Sequence, residues 1–391
     1  MPRSDMRIYL DHNATTPVDP SAADAMARAL TDLFGNPSSL HYYGQQAKAA
    51  LDDARSAVGA LLGAEPAEVV FTSGGTEADN LAIRGVAESL EQSGRRHLIT
   101  SGIEHEAVLN TYKGLARRGW RTTTLSVDAT GTVSPDRLLD AMTDDTALVS
   151  IMHANNEIGT IQPVAALAAI AHARGALFHT DAVQSAGKLP LNIRTLGVDL
   201  LSISAHKFYG PKGAGALWIR RGVRLAPSAA GGKQERNRRA GTENMPGLIG
   251  MGAAAIKVLG TLRTEGPRLA ALRDRLEEGV LAAVPQTIVN GARDLRVPNT
   301  SNISFDRVEA ESLLIALDLE GVAVSTGSAC SSGTLEPSHV LRAMNLPAHR
   351  AHNSIRFSLG AGNTEQQIDR VIAMLPTLVA KLRSLSTAGA R

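Results

Sequence analysis

From about residue 65 to residue 220, short apolar runs alternate with longer segments of helical periodicity. Apolar runs of this length, rich in Val, Ile and Leu, are typical of strands buried in a parallel sheet. The pattern predicts strands at 68–72, 97–101, 122–127, 147–152, 176–180, 200–204 and 215–219. Strands that alternate with helices predict an α/β fold with a mostly parallel central sheet.

End signals mark several further elements. A helix is predicted from 163 to 174, because proline is tolerated in a first turn and Gly175 suits the position after the end. The polar stretch 228–244 predicts a loop over a surface or an interface, followed by a long helix. From about residue 290 the pattern changes, and Thr364 with Gln367 has capping-box spacing before the apolar face of a last helix. This change predicts a second domain.

The composition limits the class of protein. The chain has 391 residues, more than one ordinary domain of roughly 100 to 200. Forty Lys and Arg against 38 Asp and Glu give a formal net charge of +2, so we expect no binding to nucleic acid or to acidic membranes. The apolar stretches 164–171 and 248–256 are shorter than the roughly 20 residues that span a bilayer. One cysteine excludes an intrachain disulfide and no signal peptide is evident, so we expect a soluble cytoplasmic protein.

Polar residues follow four of the predicted strands, at the edge where open α/β sheets bind ligands. They are His105, Asn155 and Asn156, Asp181 and Gln184, and His206 and Lys207. A lysine at one strand end and an aspartate at another suit pyridoxal phosphate, with Lys207 on the aldehyde and Asp181 on the pyridine nitrogen. The glycines, hydroxyls and backbone N–H groups of 72–78, before a helix, would cradle the phosphate.

Each of these features alone has an ordinary structural explanation. A glycine-rich turn is most often only a tight connection, and a single strand-end aspartate is often a helix cap. A lone lysine is most often solvated, and His105 by itself could be a satisfied, partly buried side chain. Because independent coincidences at four strand ends are improbable together, the conjunction favours a cofactor site.

The single cysteine, Cys330, lies in a segment rich in Gly, Ser and Thr, 324–334. Free cysteine is commonly a small buried hydrophobe, but this polar composition predicts a mobile loop and an exposed nucleophile. Arg356 lies in a strand-like run, as either a surface arginine or a bidentate partner for an amino-acid carboxylate. The arginines at 236, 238 and 239 indicate a solvated or interface cluster rather than a nucleic-acid patch.

Taken in order, the motifs resemble those of group I, NifS/IscS-type cysteine desulfurases, which are class-V aminotransferase-like enzymes of fold type I. The similar segments are Tyr9-Leu10-Asp11, Ala14-Thr15-Thr16-Pro17, Phe34-Gly35-Asn36-Pro37-Ser38-Ser39, Phe71-Thr72-Ser73-Gly74-Gly75-Thr76-Glu77, Glu104-His105, Asn155-Asn156-Glu157, His179-Thr180-Asp181-Ala182-Val183-Gln184, Ser204-Ala205-His206-Lys207, Arg239-Ala240-Gly241-Thr242-Glu243-Asn244, Gly327-Ser328-Ala329-Cys330 and Ser354-Ile355-Arg356-Phe357-Ser358-Leu359. They span nearly the whole chain.

The resemblance implies a homodimer with a large cofactor domain, 15–260, and a smaller α+β domain, 1–14 and 261–391, that carries the cysteine loop. It implies Lys207 as the cofactor-linked lysine, Asp181 on the pyridine nitrogen and His105 over the ring. It also implies a set of surrounding contacts: Gln184 and Asn156 at the phenolic oxygen, Gly75, Thr76, Ser204, His206 and Thr242 of the partner subunit on the phosphate, and Asn156 and Arg356 on the substrate carboxylate.

The implied reaction converts L-cysteine to L-alanine and leaves the sulfur on Cys330 as a persulfide, for a sulfur acceptor such as an iron–sulfur scaffold protein. Lys207 would move the substrate Cα proton, and His105 is the candidate base for the Cys330 thiol. No resident metal is implied, although Cys330 could ligate a cluster transiently.

The sequence departs from the family pattern at a few positions. His12 differs from the commoner residue of its motif, and Gly75 stands where relatives often have Ala or Cys. The tail 381–391 shows no extended acceptor-docking segment, so the acceptor stays open. Alternatives are another fold-type-I enzyme, such as an aminotransferase or a selenocysteine lyase, and a catalytically idle scaffold. A dehydrogenase is disfavoured, because no Gly-x-Gly-x-x-Gly follows the early strands.

Overall fold

A computed structural model describes residues 7–326 and 337–388 of the chain. Its helices are α1 Pro20–Thr31, α2 Tyr42–Leu62, α3 Gly75–Ser89, α4 Glu106–Ala116, α5 Pro135–Ala141, α6 Val164–Ala173, α7 Ile193–Leu196, α8 Gln234–Asn237, α9 Met245–Ala283, α10 Ala310–Leu319, α11 His339–Ala343, α12 Ala348–His352 and α13 Glu365–Ala388. Its strands are β1 Ile8–Tyr9, β2 Val69–Thr72, β3 His97–Ser101, β4 Arg121–Leu125, β5 Thr146–Ser150, β6 Leu177–Asp181, β7 Leu200–Ser204, β8 Gly215–Ile219, β9 Thr287–Asn290, β10 Thr300–Phe305, β11 Val322–Ala323 and β12 Ser354–Ser358.

The largest sheet has seven strands in the order β2-β8-β7-β6-β5-β3-β4. β8 is antiparallel to its neighbours β2 and β7, and the other pairs are parallel. All seven predicted strands are present, with ends shifted by at most two residues. The predicted α/β fold with a mostly parallel sheet is therefore confirmed.

Both faces of this sheet are covered by helices, as the continuous apolar strands require. Successive strand residues alternate between two cores: Leu98 packs with residues of α3 and α4, whereas Ile99 packs with residues of α2, α6 and α9. Leu200 and Leu201 divide in the same way. Six of the seven strands are therefore buried at almost every position, and the edge strand β4 is largely exposed.

The predicted helix ends are also present. α6 ends before Gly175, which has a φ of 69°, as expected of a glycine just past a helix end. At the start of α13, the Thr364 hydroxyl accepts from the Gln367 N–H and the Gln367 amide oxygen accepts from the Thr364 N–H, both at 3.3 Å. These reciprocal bonds form the predicted capping box.

A second core joins the two ends of the chain. Strand β1 pairs with β11, and β9, β10 and β12 form an antiparallel sheet. Ile8 and Leu10 pack there with residues from α10, α13 and β12. The first half of α9 packs in the core of the large sheet and its second half, from Leu269 onward, packs in this second core. One helix thus ties the two cores together.

Helix α9, Met245–Ala283, extends far beyond the apolar stretch 248–256 that the sequence shows. By length and composition alone it could cross a membrane, but half of its apolar window is buried within the protein. Central helices of water-soluble proteins have the same property, so this is weak grounds for a membrane segment.

The polar segment 228–244 is fixed to the sheet by a buried ion pair. Glu235, only 7% exposed, has a left-handed φ of 44° within the short turn α8. Its carboxylate accepts from both terminal nitrogens of Arg55 in α2, at 2.6 and 2.7 Å, and from the N–H of Phe71 in β2 at 2.9 Å. The predicted loop therefore has a defined position at the sheet edge.

We expect Arg55→Leu to lower the free energy of unfolding by about 3 to 5 kcal/mol, because the Glu235 carboxylate would stay buried without its cation. Lys48→Ala is the control on the same helix: the Lys48–Asp52 pair is about half exposed and should contribute less than about 1 kcal/mol. Urea unfolding followed by circular dichroism measures both. Equally small losses in the two variants would contradict the assigned role of the buried pair.

Candidate functional site

The carboxyl ends of four strands bring the predicted residues to one edge of the large sheet. His105 follows β3, Asn156 follows β5, Asp181 ends β6 and Lys207 follows β7. These strands are neighbours in the order β7-β6-β5-β3, so their polar ends converge. His105 and Lys207 are both close enough to Asp181 to act against the rise that burial causes in the pKa of its carboxyl group.

Lys207 is held by the N-terminal segment of the chain. It lies in a 3-10 turn after β7 and is half-buried. Its Nζ donates to the backbone carbonyls of Asn13 at 2.6 Å and Ala14 at 2.7 Å. These two carbonyl groups set the direction of the amine at the sheet edge.

Asp181 belongs to a group of three buried carboxyl groups with Asp79 and Glu104, each at most 5% exposed. Burial raises the pKa of all three, and the charge of Asp181 raises those of Asp79 and Glu104 further. The neighbouring ring of His179 is fully buried, which lowers its pKa to about 3, so it adds no positive charge. A cationic hydrogen-bond donor at Asp181 would relieve this repulsion, and a protonated pyridine nitrogen is such a donor.

The first turn of α3 has the features of an anion site. Its N-cap, Gly74, has no side-chain cap and adopts φ 153° and ψ −177°, a region essentially restricted to glycine. A Cβ atom added at Gly75 would lie 2.8 Å from a methyl carbon of Val183. Ser204 lies buried beside these glycines and Thr76 is exposed. The uncapped N–H groups and the close backbone approach fit a phosphate.

The two histidines at this edge differ in their contacts. His206 Nδ1 lies 3.2 Å from the Thr15 hydroxyl, and burial lowers the pKa of the ring to about 4, so it is neutral near pH 7. His105 Nδ1 accepts from the N–H of Ala107 at 3.1 Å. In the neutral His105 ring the hydrogen is therefore on Nε2. In this arrangement His105 offers the site a hydrogen-bond donor rather than a base.

Arg356 in β12 is buried, with 3% exposure, rather than lying at the surface. Its Nη2 pairs with Asp11 at 2.7 Å and its Nη1 donates to the carbonyl of Asn156 at 3.1 Å. Its Nε is buried without a hydrogen-bond partner in the described part of the chain. A hydrogen bond thus connects Arg356 to the turn that carries Asn156, and the Nε hydrogen of Arg356 is left for a ligand.

Two candidate residues have other surroundings. Asn155 points away from this edge, since its amide oxygen accepts from the N–H groups of Glu157 and Ile158 and its nitrogen donates to the Ile103 carbonyl. Thr242 is exposed in the segment 228–244, as a residue that acts in another subunit would be. Cys330 and residues 327–334 of its predicted mobile loop lie outside the described residues.

Two residues that sequence reasoning did not single out lie within the site. Asn13 accepts from Lys207 and from the Gln184 amide, the latter at 3.1 Å. Lys188 donates to the side-chain oxygens of Asn13 at 2.8 Å and Gln184 at 2.6 Å. The four-residue spacing between Gln184 and Lys188 was the one sequence signal that these two side chains could meet. The contacts with Asn13 could not be predicted, because they form only when the N-terminal segment packs against this turn.

Comparisons with known proteins agree with this geometry. The aminotransferase class-V family model matches residues 8–371. The chain is 52% identical to a cysteine desulfurase of Nostoc sp. (strain PCC 7120), over 97% of this chain and 94% of that protein. It is 48% identical to the cysteine desulfurase NifS of Azotobacter vinelandii, with the same coverage. A solved structure of a NifS-like protein superposes with a TM-score of 0.91 at 37% identity, covering 96% of this chain and all of that one. The resemblance noted in the sequence is confirmed.

The buried Glu104 should give the protein a measurable pH dependence. Its pKa of about 8, raised from 4.5 chiefly by burial, means that the folded protein keeps a proton that the unfolded chain loses. Stability from this group is therefore present below about pH 4.5 and is lost as the pH rises towards 8. Glu104→Gln carries no such proton, so its stability relative to the wild type should improve by up to about 1.4 kcal/mol per pH unit across this window.

Urea unfolding of the cofactor-free proteins at several pH values within this window measures the difference. Glu106→Gln, at an exposed position two residues away, is the control and should follow the wild type. Parallel pH profiles for Glu104→Gln and the wild type would show that the Glu104 carboxyl group titrates normally.

Proposed function

Because the chain belongs to the aminotransferase class-V family, we propose that it is a cysteine desulfurase that converts L-cysteine to L-alanine and transfers the sulfur to Cys330. The observation that carries the proposal is the convergence of Lys207, Asp181 and the buried Arg356 around one sheet edge. The names of the similar proteins support the same activity.

Pyridoxal phosphate is the cofactor that these residues fit. Asp181 would hold the pyridine nitrogen, and Gln184 and Asn156 would lie at the phenolic oxygen. The first turn of α3, with Gly75 and Thr76, would bind the phosphate, together with Ser204, His206 and Thr242 of the partner subunit. When bound, the cofactor supplies an aldehyde for a lysine and an electron-withdrawing ring that acidifies the Cα–H of an amino acid.

Lys207 is the residue placed to move the Cα proton of the substrate. Its amine is already at the sheet edge near Asp181, where it donates to two backbone carbonyls. These carbonyls are not basic enough to take a proton themselves. Freed from these carbonyls, the amine accepts the proton at Nζ and returns it to a neighbouring carbon. The positive charge of Arg356 would hold the substrate carboxylate, in competition with Asp11.

The Cys330 thiolate would take the sulfur atom of the substrate. In the net reaction, L-cysteine and the Cys330 thiol give L-alanine and a Cys330 persulfide, so the substrate carbon–sulfur bond breaks and a sulfur–sulfur bond forms. An ordinary thiol is only a few per cent ionised near pH 7, so a base or a nearby cation is needed. For His105 to be that base, its Nδ1 must first release the N–H of Ala107.

We expect the purified protein with pyridoxal phosphate and a reductant to release alanine and sulfide from L-cysteine. Cys330→Ala should keep the colour of the bound cofactor and lose turnover by at least about a hundredfold, because no thiol remains to accept sulfur. Lys207→Ala should lose both the coloured linkage and the turnover. Product analysis and absorbance spectra measure the two properties.

Lys113→Ala, on the exposed side of α4, is the control for loss of a lysine and should match the wild type. A Cys330→Ala variant as active as the wild type would exclude sulfur transfer through Cys330. Alanine formation without sulfide, or a ketoacid product, would assign the site to a different pyridoxal-phosphate reaction.

A homodimer and a sulfur-acceptor protein complete the proposal. Large apolar side chains at 30, 34, 40, 42 and 43 are between 53% and 92% exposed, namely Leu30, Phe34, Leu40, Tyr42 and Tyr43. The Tyr43 ring contacts two of the others, with centroid distances of 5.1 Å to Phe34 and 5.5 Å to Tyr42. A cluster of this size on a surface is typical of a protein interface. A dimer is also what the proposed role of the exposed Thr242 in the neighbouring subunit requires.

Substitution of this apolar surface tests the dimer. Phe34→Glu combined with Tyr42→Glu should shift the protein from dimer to monomer in analytical ultracentrifugation, because each charge would be buried at the interface. If Thr242 acts in the neighbouring subunit, the monomeric variant should also bind pyridoxal phosphate more weakly. Leu385→Glu, at a surface position 60% exposed elsewhere, is the control. A wild-type monomer that binds the cofactor tightly would contradict the dimer.

A further inference from the structure

Lys188 is a half-buried lysine at the site that the proposed reaction leaves without a role. It lies in the turns that follow β6, and its Nζ bonds to two neutral acceptors, Asn13 Oδ1 at 2.8 Å and Gln184 Oε1 at 2.6 Å. In the described part of the chain, it has no carboxylate within ion-pairing distance. Burial, followed by the charges of Lys207 and Arg356, lowers the pKa of Lys188 well below its usual value.

Such a lysine is costly for folding. A charge removed from water without a counter-ion lowers the stability of the protein, and an apolar residue of the same shape would avoid this cost. The stability of the fold therefore does not account for an amine at this position. Its effect on the two amide groups that it touches does.

Lys188 Nζ donates to both amide oxygens, and in its protonated form the amine can make no other kind of hydrogen bond. Lys188 thereby removes the twofold ambiguity of the Gln184 side chain: Oε1 faces the lysine, and Nε2 faces the site. One Nε2 hydrogen goes to the Asn13 carbonyl at 3.1 Å. The second is left for a ligand, since no other bond to it is made within residues 7–326 and 337–388.

The same reasoning applies to Asn13. Its Oδ1 accepts from Lys188 and from Asn299 Nδ2, at 2.8 and 3.1 Å. Its Nδ2 donates to the Asn156 carbonyl at 3.0 Å and to the Thr300 hydroxyl at 2.8 Å. The backbone carbonyl that receives Lys207 and Gln184 is thus held by a side chain whose orientation Lys188 helps to fix.

We propose that Lys188 is a positioning residue that fixes the Gln184 amide as a hydrogen-bond donor towards the phenolic oxygen of the cofactor. The inference rests on the proposed function, since it takes pyridoxal phosphate as the ligand. A donor at a phenolic oxygen stabilises its anionic form. Lys188 therefore acts on the electronic state of the cofactor through Gln184 and does not touch the substrate.

The test is a pH titration of the visible absorption band of the bound cofactor. In Lys188→Met, the Gln184 amide loses its fixed orientation, so the anionic form is less favoured and the midpoint should rise by roughly one pH unit. Gln184→Leu should give a similar rise. Lys188→Arg keeps a donor-only cation and should stay near the wild type. His12, Lys207 and Arg356 also face Lys188, and they are unchanged in all variants.

A double variant separates positioning from a direct effect of charge. If Lys188 acts through Gln184, Lys188→Met combined with Gln184→Leu should shift the midpoint no further than Gln184→Leu alone. Additive shifts would show that the lysine charge acts directly and would overturn the positioning role. A Lys188→Met midpoint equal to that of the wild type would overturn it as well.

Two further results keep the test decisive. Lys188→Gln, which can donate or accept, should behave like Lys188→Met, and it replaces that variant if the methionine protein does not fold. A wild-type protein that gains no visible band with pyridoxal phosphate would overturn the proposed function, and this inference with it. A band that forms in the wild type but does not move in the lysine variants would overturn the inference alone.

Discussion

The arrangement of the site depends on Asn13, which bonds to both halves of the molecule through all four of its polar groups. Its N–H donates to Ser358, its carbonyl accepts from Lys207 and Gln184, its Oδ1 accepts from Lys188 and Asn299, and its Nδ2 donates to the Asn156 carbonyl and to Thr300. One of these partners, Ser358, lies 345 residues away in the chain. The N-terminal segment therefore links the large sheet to the second core, and it holds Lys207 Nζ through two backbone carbonyls.

A related constraint applies to the chain on either side of 327–336. Before it, Ser325 exchanges backbone hydrogen bonds with Arg356 at 3.2 and 2.6 Å. After it, the Ser338 hydroxyl donates to the buried carboxylate of Glu157 at 2.5 Å. Glu157 adjoins Asn156, whose carbonyl binds Arg356. The described residues on both sides of 327–336 thus belong to the same group as the proposed carboxylate site.

The sequence predicted the large sheet because strands buried on both faces are mostly apolar, and this local signal needs no knowledge of distant contacts. The strand-end residues Asp181 and Lys207 followed from the same signal. Lys188 and Asn13 could not be found in this way, because their roles arise where the N-terminal segment meets a turn about 175 residues later. Likewise, the position of Glu235 depends on Arg55, which is 180 residues away in the chain. The choice of ring nitrogen that carries the hydrogen in neutral His105 depends on the N–H of Ala107, which donates to Nδ1.

Basic side chains lie on one side of the site and carboxyl groups on the other, and this division matches the charges of the proposed cofactor. The basic side chains of Lys188, Lys207 and Arg356 lie among carbonyl and amide groups near the N-terminal segment, where anionic phenolic and carboxylate groups would bind. The carboxyl groups of Asp79 and Glu104 lie in the buried layer with Asp181, beside a histidine too deeply buried to be charged. In a medium of low polarity such a separation is unfavourable until a ligand with the opposite pattern binds. Protonated pyridine at one end and anionic oxygens at the other have that pattern, so the binding of the cofactor would relieve repulsion on both sides of the site at once.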